Sequence, residues 1–122
     1  MNFIPYGKQN INQDDVDIVV DTLKSDYLTT GPKVKEFEDA LSSYCGAKYV
    51  LAVANGTAAL HLASLVLLKK DDKVLTTPNS FLATSNSILY VGAKPIFVDI
   101  AQDGNIDLDI CEEYLKKDSS IK

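Results

Sequence analysis

Two short segments of the chain combine residue types that could bind a ligand. The first, Asn55-Gly56-Thr57, follows an apolar run and precedes a helix-forming run of Ala and Leu, which predicts a strand, a tight turn and a helix start. Unpaired backbone N–H groups and the positive end of the helix dipole bind phosphate well at such a place. The alternative is a tight turn with Thr57 as the helix cap, and the segment matches neither a Walker motif nor a GxGxxG.

The second segment, Thr76-Thr77-Pro78-Asn79-Ser80-Phe81, closes the next predicted strand. We place Phe81 in the first turn of the following helix, where an exposed ring could stack on a flat ligand; a core phenylalanine is the alternative. His61 lies one helical turn beyond Thr57 and could act as a base, but a histidine on a covering helix is usually structural or solvated. Asp99 ends a further predicted strand and could either orient a ligand or begin a loop.

The elements that position these residues alternate along the chain. Two amphipathic helices come first, over 12–24 and 33–45. The predicted strands are 48–54, 73–77 and 95–100, and the predicted later helices are 57–69, 80–91 and 108–117. Apolar strands that alternate with helices indicate an α/β fold, with a mostly parallel sheet covered by helices on both faces. The carboxyl ends of such strands meet at one edge, where ligands bind.

The composition argues against several classes of function. The 122 residues suit one domain, and the net charge of -5 makes nucleic acid an improbable partner. All twelve basic residues are lysine, so no guanidinium of this chain can clamp a carboxylate or phosphate. Cys45 and Cys111 lack metal-ligand spacing, and we expect two small buried hydrophobes and no metal site. No apolar run reaches about 18 residues and no signal-peptide pattern is present, so we expect a cytoplasmic protein without membrane partners.

Taken together, these motifs resemble the DegT-type sugar aminotransferases. The residues that carry the resemblance run in order along the chain: Tyr27-Leu28-Thr29-Thr30-Gly31-Pro32, Val34, Phe37-Glu38, Asn55-Gly56-Thr57-Ala58-Ala59-Leu60, Thr77-Pro78-Asn79-Ser80-Phe81, Ala83-Thr84, Asn86 and Phe97-Val98-Asp99-Ile100. Members of this family are pyridoxal 5'-phosphate enzymes of fold type I that aminate keto groups on nucleotide-linked sugars. The resemblance implies a three-layer fold, with residues 1–46 as an N-terminal helical segment carrying a substrate loop. Residues 47–122 would then begin the cofactor-binding α/β large domain.

The resemblance also implies roles for particular residues. Gly56, Thr57 and the backbone of Ala58 would hold the cofactor phosphate, and Phe81 would stack on the pyridine ring. The residues that match sugar-nucleotide contacts of the family are Tyr6, Asp26, Tyr27, Leu28, Thr29 and Gly56. The implied partners are a nucleotide sugar, glutamate as the amino-acid donor, and a second copy of the protein in a homodimer.

The same resemblance implies that the reacting half of the site lies elsewhere. The family's reaction needs a lysine that binds the cofactor covalently and an acid that pairs with the pyridinium nitrogen. Both come from segments beyond Lys122, and no lysine of this chain occupies a matching position. We therefore predict no catalytic residue here and an N-terminal fragment that is inactive by itself. Two alternatives stay open: a sugar dehydratase of the same family, in which histidine replaces the lysine, and a truncated non-catalytic α/β domain.

Overall fold

The computed structural model describes residues 6–122. Its helices and strands, in chain order, are α1 (Gln13–Lys24), α2 (Pro32–Cys45), α3 (Gly56–Leu67), β1 (Lys73–Thr76), α4 (Ala83–Tyr90), β2 (Lys94–Phe97) and α5 (Leu108–Lys117). The chain divides into two compact units, the first ending at Ala52 and the second running from Val53 to Lys122. Within the described residues, no helix combines the length and the apolar character needed to cross a membrane.

The first unit is built from two helices whose ends are set by local sequence. The Asn12 side chain accepts a hydrogen bond from the Asp15 N–H at 3.1 Å, and the Asp15 carboxylate accepts one from the Asn12 N–H at 2.9 Å. This reciprocal capping box starts α1. Pro32 starts α2, which ends at Gly46 with a φ of 67°, a left-handed conformation that suits glycine. Both predicted helices of this unit are confirmed to within one residue.

Neither helix of the first unit contains a buried residue. Among the described residues the apolar side chains of α2 are therefore only partly covered: Leu41 is half-buried, Phe37 is exposed, and Cys45 at the end of the helix is exposed. The expected burial of Cys45 is wrong for this reason, whereas Cys111 in α5 is half-buried.

The predicted strand over 48–54 is wrong. These residues form no strand, and the Ala52 N–H donates instead to the Glu38 carboxylate at 2.9 Å. An apolar segment becomes a strand only when another backbone pairs with its N–H and C=O groups. Within residues 6–122 the one sheet contains β1 and β2 alone, so this segment has no neighbouring strand.

A parallel pair of strands forms the centre of the second unit. β1 pairs with β2 in a register that runs from Lys73 opposite Lys94 to Thr76 opposite Phe97. Helix α4 contacts both strands, and α3 packs against α4. The buried apolar residues of this unit are Ala83, Ile88, Ala93, Val98 and Ile121. The α/β class and the parallel pairing predicted from the sequence are confirmed.

The connection from β1 to α4 differs from the prediction. Helix α4 begins at Ala83 rather than at residue 80. The Asn79 N–H is bonded to the Thr77 hydroxyl at 3.3 Å, which makes a side-chain turn at Pro78 that competes with helical geometry. This turn delays the helix by three residues and leaves Phe81 in the preceding loop.

The last residues of the chain are tied to β1. Ile121 bridges Lys73 in parallel, as the start of a further strand would, and the Lys122 N–H donates to the Lys73 carbonyl at 2.9 Å. Two ion pairs support this contact, from Lys73 Nζ to Asp118 at 2.6 Å and from Lys122 Nζ to Asp72 at 2.7 Å. The ammonium group of Lys73 holds the pKa of Asp118 well below its ordinary value, and Lys122 lowers the pKa of Asp72 in the same way.

The buried position of Val98 predicts a large cost for its truncation. Val98 is 1% exposed, so Val98→Ala should destabilise the second unit by about 2 kcal/mol through lost burial and a cavity. The matched control is Val66→Ala, at a side chain 83% exposed, which should stay within about 0.5 kcal/mol. Urea denaturation followed by far-UV circular dichroism measures both, and equal costs would contradict this placement of Val98.

The lowered pKa of Asp118 predicts a pH-dependent contribution to stability. A carboxyl group whose folded pKa is depressed stabilises the fold above its unfolded pKa, and this contribution is lost as the pH falls through the folded value. Asp118→Asn should therefore lower the Tm at pH 7 and flatten its decline between about pH 5 and pH 2. Asp21→Asn, the same change on the exposed surface of α1, is the control. Parallel declines of Tm for Asp118→Asn and the unsubstituted protein would exclude the ion pair as a source of acid sensitivity.

Candidate functional site

Three residues predicted to bind a cofactor line one cavity. Gly56 and Thr57, in the first turn of α3, meet Phe81, in the loop before α4, around a cavity of about 480 Å³. The packing of α3 against α4 places these two segments side by side. The structure therefore brings together the helix start and the aromatic ring that the sequence analysis singled out separately.

The amino terminus of α3 presents backbone donors to the cavity. Among residues 6–122, no protein acceptor pairs with the N–H groups of Gly56 and Thr57. The helix is capped by Asn55, whose side-chain oxygen accepts from the Ala58 N–H at 2.9 Å, so the alternative in which Thr57 is the cap is wrong. A phosphate contact at the Ala58 N–H would have to compete with this cap. The two free N–H groups and the helix dipole still make the site suitable for an anion.

Phe81 is exposed at the edge of the cavity. Its side chain is 78% exposed, so the alternative of a core phenylalanine is wrong. Its carbonyl accepts the Thr84 N–H at 2.9 Å, which places the ring two residues before α4 rather than in the first helical turn. An exposed aromatic face beside an anion-binding helix end is suited to a planar ligand that carries an anionic group.

Two further candidates lie outside the cavity lining. The His61 ring packs edge-on against Tyr90, with ring centroids 5.3 Å apart. This contact supports a structural role for His61 over a role as a base. The Asp99 carboxylate accepts from the Ile100 N–H at 2.8 Å, and its carbonyl accepts from the Asp107 N–H at 3.0 Å. Asp99 therefore begins a loop, which was the second of the two roles considered for it from the sequence.

The rest of the cavity wall, which was not predicted from the sequence, consists of Ala59, Leu60, Ala83 and Thr84. Helical spacing could have found two of them, because Leu60 lies one turn beyond Thr57, and Thr84 lies three residues beyond Phe81. The Thr84 hydroxyl is 2.8 Å from the Ser80 hydroxyl, and this contact ties the loop that carries Phe81 to the first turn of α4.

The residues predicted to contact a sugar nucleotide fall in both units. Gly56 belongs to the second unit, and Tyr6 with the loop from Asp26 to Thr29 belongs to the first. Tyr6 and all four loop residues are exposed. The loop begins at Ser25, whose hydroxyl lies 2.8 Å from the Thr22 carbonyl and ends α1.

The chemistry available in the cavity is binding rather than proton transfer. Its polar groups are backbone N–H groups and the hydroxyls of Thr57 and Thr84, and its apolar wall includes the Phe81 ring. No lysine, histidine or carboxylate is among the lining residues, all of which lie in the described part of the chain. The cavity can therefore hold and orient a phosphorylated planar molecule.

Comparison with known proteins places the chain in a family. Residues 9–121 match the model of the DegT/DnrJ/EryC1/StrS aminotransferase family. The chain belongs to this family. The match extends over both compact units, so the family assignment predicted from the sequence motifs is confirmed.

Individual relatives and solved structures resemble most of the chain. The UDP-4-amino-4,6-dideoxy-N-acetyl-beta-L-altrosamine transaminase of Campylobacter jejuni is 48% identical over 117 residues, which cover 96% of this chain and 31% of the relative. Helicobacter pylori PseC, an aminotransferase involved in pseudoaminic acid biosynthesis, superposes with a TM-score of 0.82 at 33% identity, over 89% of this chain and 30% of PseC. The E. coli GDP-4-keto-6-deoxy-D-mannose-3-dehydratase, solved with bound hydrated PLP, superposes with a TM-score of 0.83 at 26% identity. This superposition covers 89% of this chain and 30% of the dehydratase. The chain thus spans less than a third of the length of each of these relatives.

The cap of α3 generates a prediction that separates stability from anion binding. Asn55→Ala removes the acceptor for the Ala58 N–H and should cost about 1 kcal/mol in the free energy of unfolding. Asn55→Asp keeps an acceptor and should preserve stability, while its charge at the helix end should weaken binding of inorganic phosphate. Urea denaturation and phosphate titration measure the two properties. A loss of stability in Asn55→Asp equal to that in Asn55→Ala would contradict the capping role.

Proposed function

We propose that this chain forms the N-terminal, cofactor-binding part of a pyridoxal 5'-phosphate enzyme. In this proposal the enzyme transfers an amino group from an amino acid to the keto group of a nucleotide-linked sugar. The observation that carries the proposal is the cavity in which the start of α3 meets Phe81, in a chain of the DegT/DnrJ/EryC1/StrS aminotransferase family. Pyridoxal 5'-phosphate combines a phosphate and a planar ring, which are the two ligand features that this cavity suits.

The donors of the cavity fit the phosphate of this cofactor. The N–H groups of Gly56 and Thr57, together with the Thr57 hydroxyl, would hold the phosphate, and the helix dipole would favour its charge. Phe81 would stack on the ring and exclude water from one face. When bound, the cofactor supplies the electron-withdrawing ring on which amino transfer depends. The residues of this chain bind and orient it, and the cavity lining contains no side chain for covalent attachment.

We further propose that the acceptor is a UDP-linked 4-keto sugar in the synthesis of pseudaminic acid or a related cell-surface sugar, with glutamate as the donor. The Campylobacter jejuni transaminase and Helicobacter pylori PseC support this choice by their names. Tyr6, the loop from Asp26 to Thr29, and Gly56 would contact the nucleotide sugar. The proposed working form is a homodimer, and the exposed apolar side chains of α1 and α2, such as Leu23 and Phe37, support it. The cytoplasmic location stays a prediction.

A sugar dehydratase of the same family is the second candidate. The superposition with the E. coli dehydratase supports it, because that enzyme also binds PLP and matches the same part of the fold. The two reactions differ in their product, since amino transfer adds nitrogen to the sugar whereas dehydration removes a hydroxyl group. The third possibility is an α/β domain without catalytic activity.

The test uses the protein expressed from the complete reading frame that carries this sequence. We expect it to bind pyridoxal 5'-phosphate with a change in visible absorbance, and to form an amino sugar from a UDP-linked 4-keto sugar and glutamate. Thr57→Val removes a hydrogen bond to a charged group and should raise the Kd for the cofactor about tenfold. Thr22→Val, at a hydroxyl bonded only within α1, is the matched control and should leave that Kd unchanged.

The outcomes separate the candidates. A deoxygenated product without added nitrogen favours the dehydratase, and cofactor binding without turnover of any keto sugar favours a non-catalytic domain. An unchanged Kd in Thr57→Val overturns the assignment of the phosphate site to the start of α3.

A further inference from the structure

The loop between α1 and α2 contains a residue in an unfavourable backbone conformation. Thr30 has a φ of 48°, in the left-handed region that a β-branched side chain seldom adopts. A residue keeps such a conformation only where the surrounding structure holds it, and such residues concentrate at ligand-binding sites. The loop therefore has a shape that its own sequence does not favour.

Close packing inside the loop accompanies this conformation. Gly31 lies so near Tyr27 that a Cβ added to it would be 3.0 Å from both the Cβ and the carbonyl oxygen of Tyr27. That separation is tighter than nine in ten real Cβ contacts, so Tyr27 would have to shift by a few tenths of an ångström to accept a Cβ at residue 31. The left-handed residue Thr30 directly precedes this close approach, and any residue with a Cβ at position 31 would be strained there.

Both ends of the loop are fastened to the helices. At the start, the Ser25 hydroxyl lies 2.8 Å from the Thr22 carbonyl and 3.4 Å from the Tyr27 N–H. In the middle, Leu28 lines an apolar groove between α1 and α2 together with Phe37. At the end, the Gly31 carbonyl accepts from the Val34 N–H as α2 begins. The loop is thus tied at three points although its side chains are exposed.

We propose that Thr30 and Gly31 are positioning residues for the nucleotide sugar, acting through the shape of the backbone rather than through contact with the ligand. This inference rests on the proposed function, in which the loop from Asp26 to Thr29 contacts the nucleotide sugar. A loop that is already held in one shape loses little conformational freedom on binding, so the ligand binds more tightly. The left-handed turn and the Gly31–Tyr27 contact supply that shape.

The experiment uses the protein from the complete reading frame and the UDP-linked 4-keto sugar of the previous test. Glycine and asparagine adopt a positive φ readily, so Thr30→Gly and Thr30→Asn should leave the KM for the sugar unchanged. Proline cannot adopt a positive φ, and Thr30→Pro should raise the KM about tenfold or more. Gly31→Ala should do the same, because its Cβ would meet Tyr27.

The control and the mildest variant guard against misfolding. Gly7→Ala adds a Cβ with nothing within 4 Å and should leave the KM unchanged. Ser25→Ala removes only the hydroxyl that fastens the loop, and should raise the KM about threefold without loss of helix content by circular dichroism. In all loop variants kcat and the Kd for pyridoxal 5'-phosphate should stay unchanged, because Gly56, Thr57 and Phe81 belong to the other unit.

Three results would overturn the inference. The first is an unchanged KM in both Gly31→Ala and Ser25→Ala, and the second is a KM in Thr30→Gly as high as in Thr30→Pro, which would assign the role to the threonine side chain. The third is an unsubstituted protein that binds the cofactor but uses no nucleotide sugar. That result already refutes the proposed function before any variant is compared, so the two failures are distinguishable.

Discussion

The packing of α3 against α4 is the contact on which the candidate site depends. Gly56 and Thr57 start one helix, and Phe81 immediately precedes the other. Ala83 and Ile88 of α4 are buried, so the position of this helix is held by apolar contacts with its neighbours. Without that packing the chain would have a capped helix start and an exposed aromatic ring, but no common cavity between them.

The two compact units are stabilised in different ways. The second unit has a buried core around β1, α4 and β2, and the cavity that suits a phosphorylated planar ligand lies at its surface. The first unit has no buried residue in either helix. The shape of the loop between its two helices depends on hydrogen bonds of Ser25, on the close contact of Gly31 with Tyr27, and on the positive φ of Thr30. The proposed cofactor and sugar contacts therefore rest on two kinds of support, apolar packing in one unit and local backbone geometry in the other.

Elements with strong local signals were predictable from the sequence. Asn12 and Asp107 cap α1 and α5, whose predicted bounds agree with the structure to within one residue, and Gly46 ends α2 in a left-handed conformation. These features depend on residues within one helical turn, so sequence spacing alone is enough to find them. The prediction of a strand over 48–54 was wrong, because a strand needs a second backbone beside it and the sequence does not say whether one is adjacent. The predicted start of α4 was wrong for a local reason, since the turn at Thr77 and Pro78 delays the helix by three residues.

By itself, the sequence determined the starts and stops of α1, α2 and α5, the candidate residues Gly56, Thr57 and Phe81, and the motifs shared with the sugar aminotransferases. Each of these is a property of a short segment. Only the tertiary structure decided that Phe81 is exposed on the cavity lined by Gly56 and Thr57, that Asn55 occupies the Ala58 N–H, and that Thr30 has a positive φ. Those facts depend on which distant or competing groups come into contact. A contact of that kind is set by packing and hydrogen-bond competition in three dimensions, and residue types alone do not specify it.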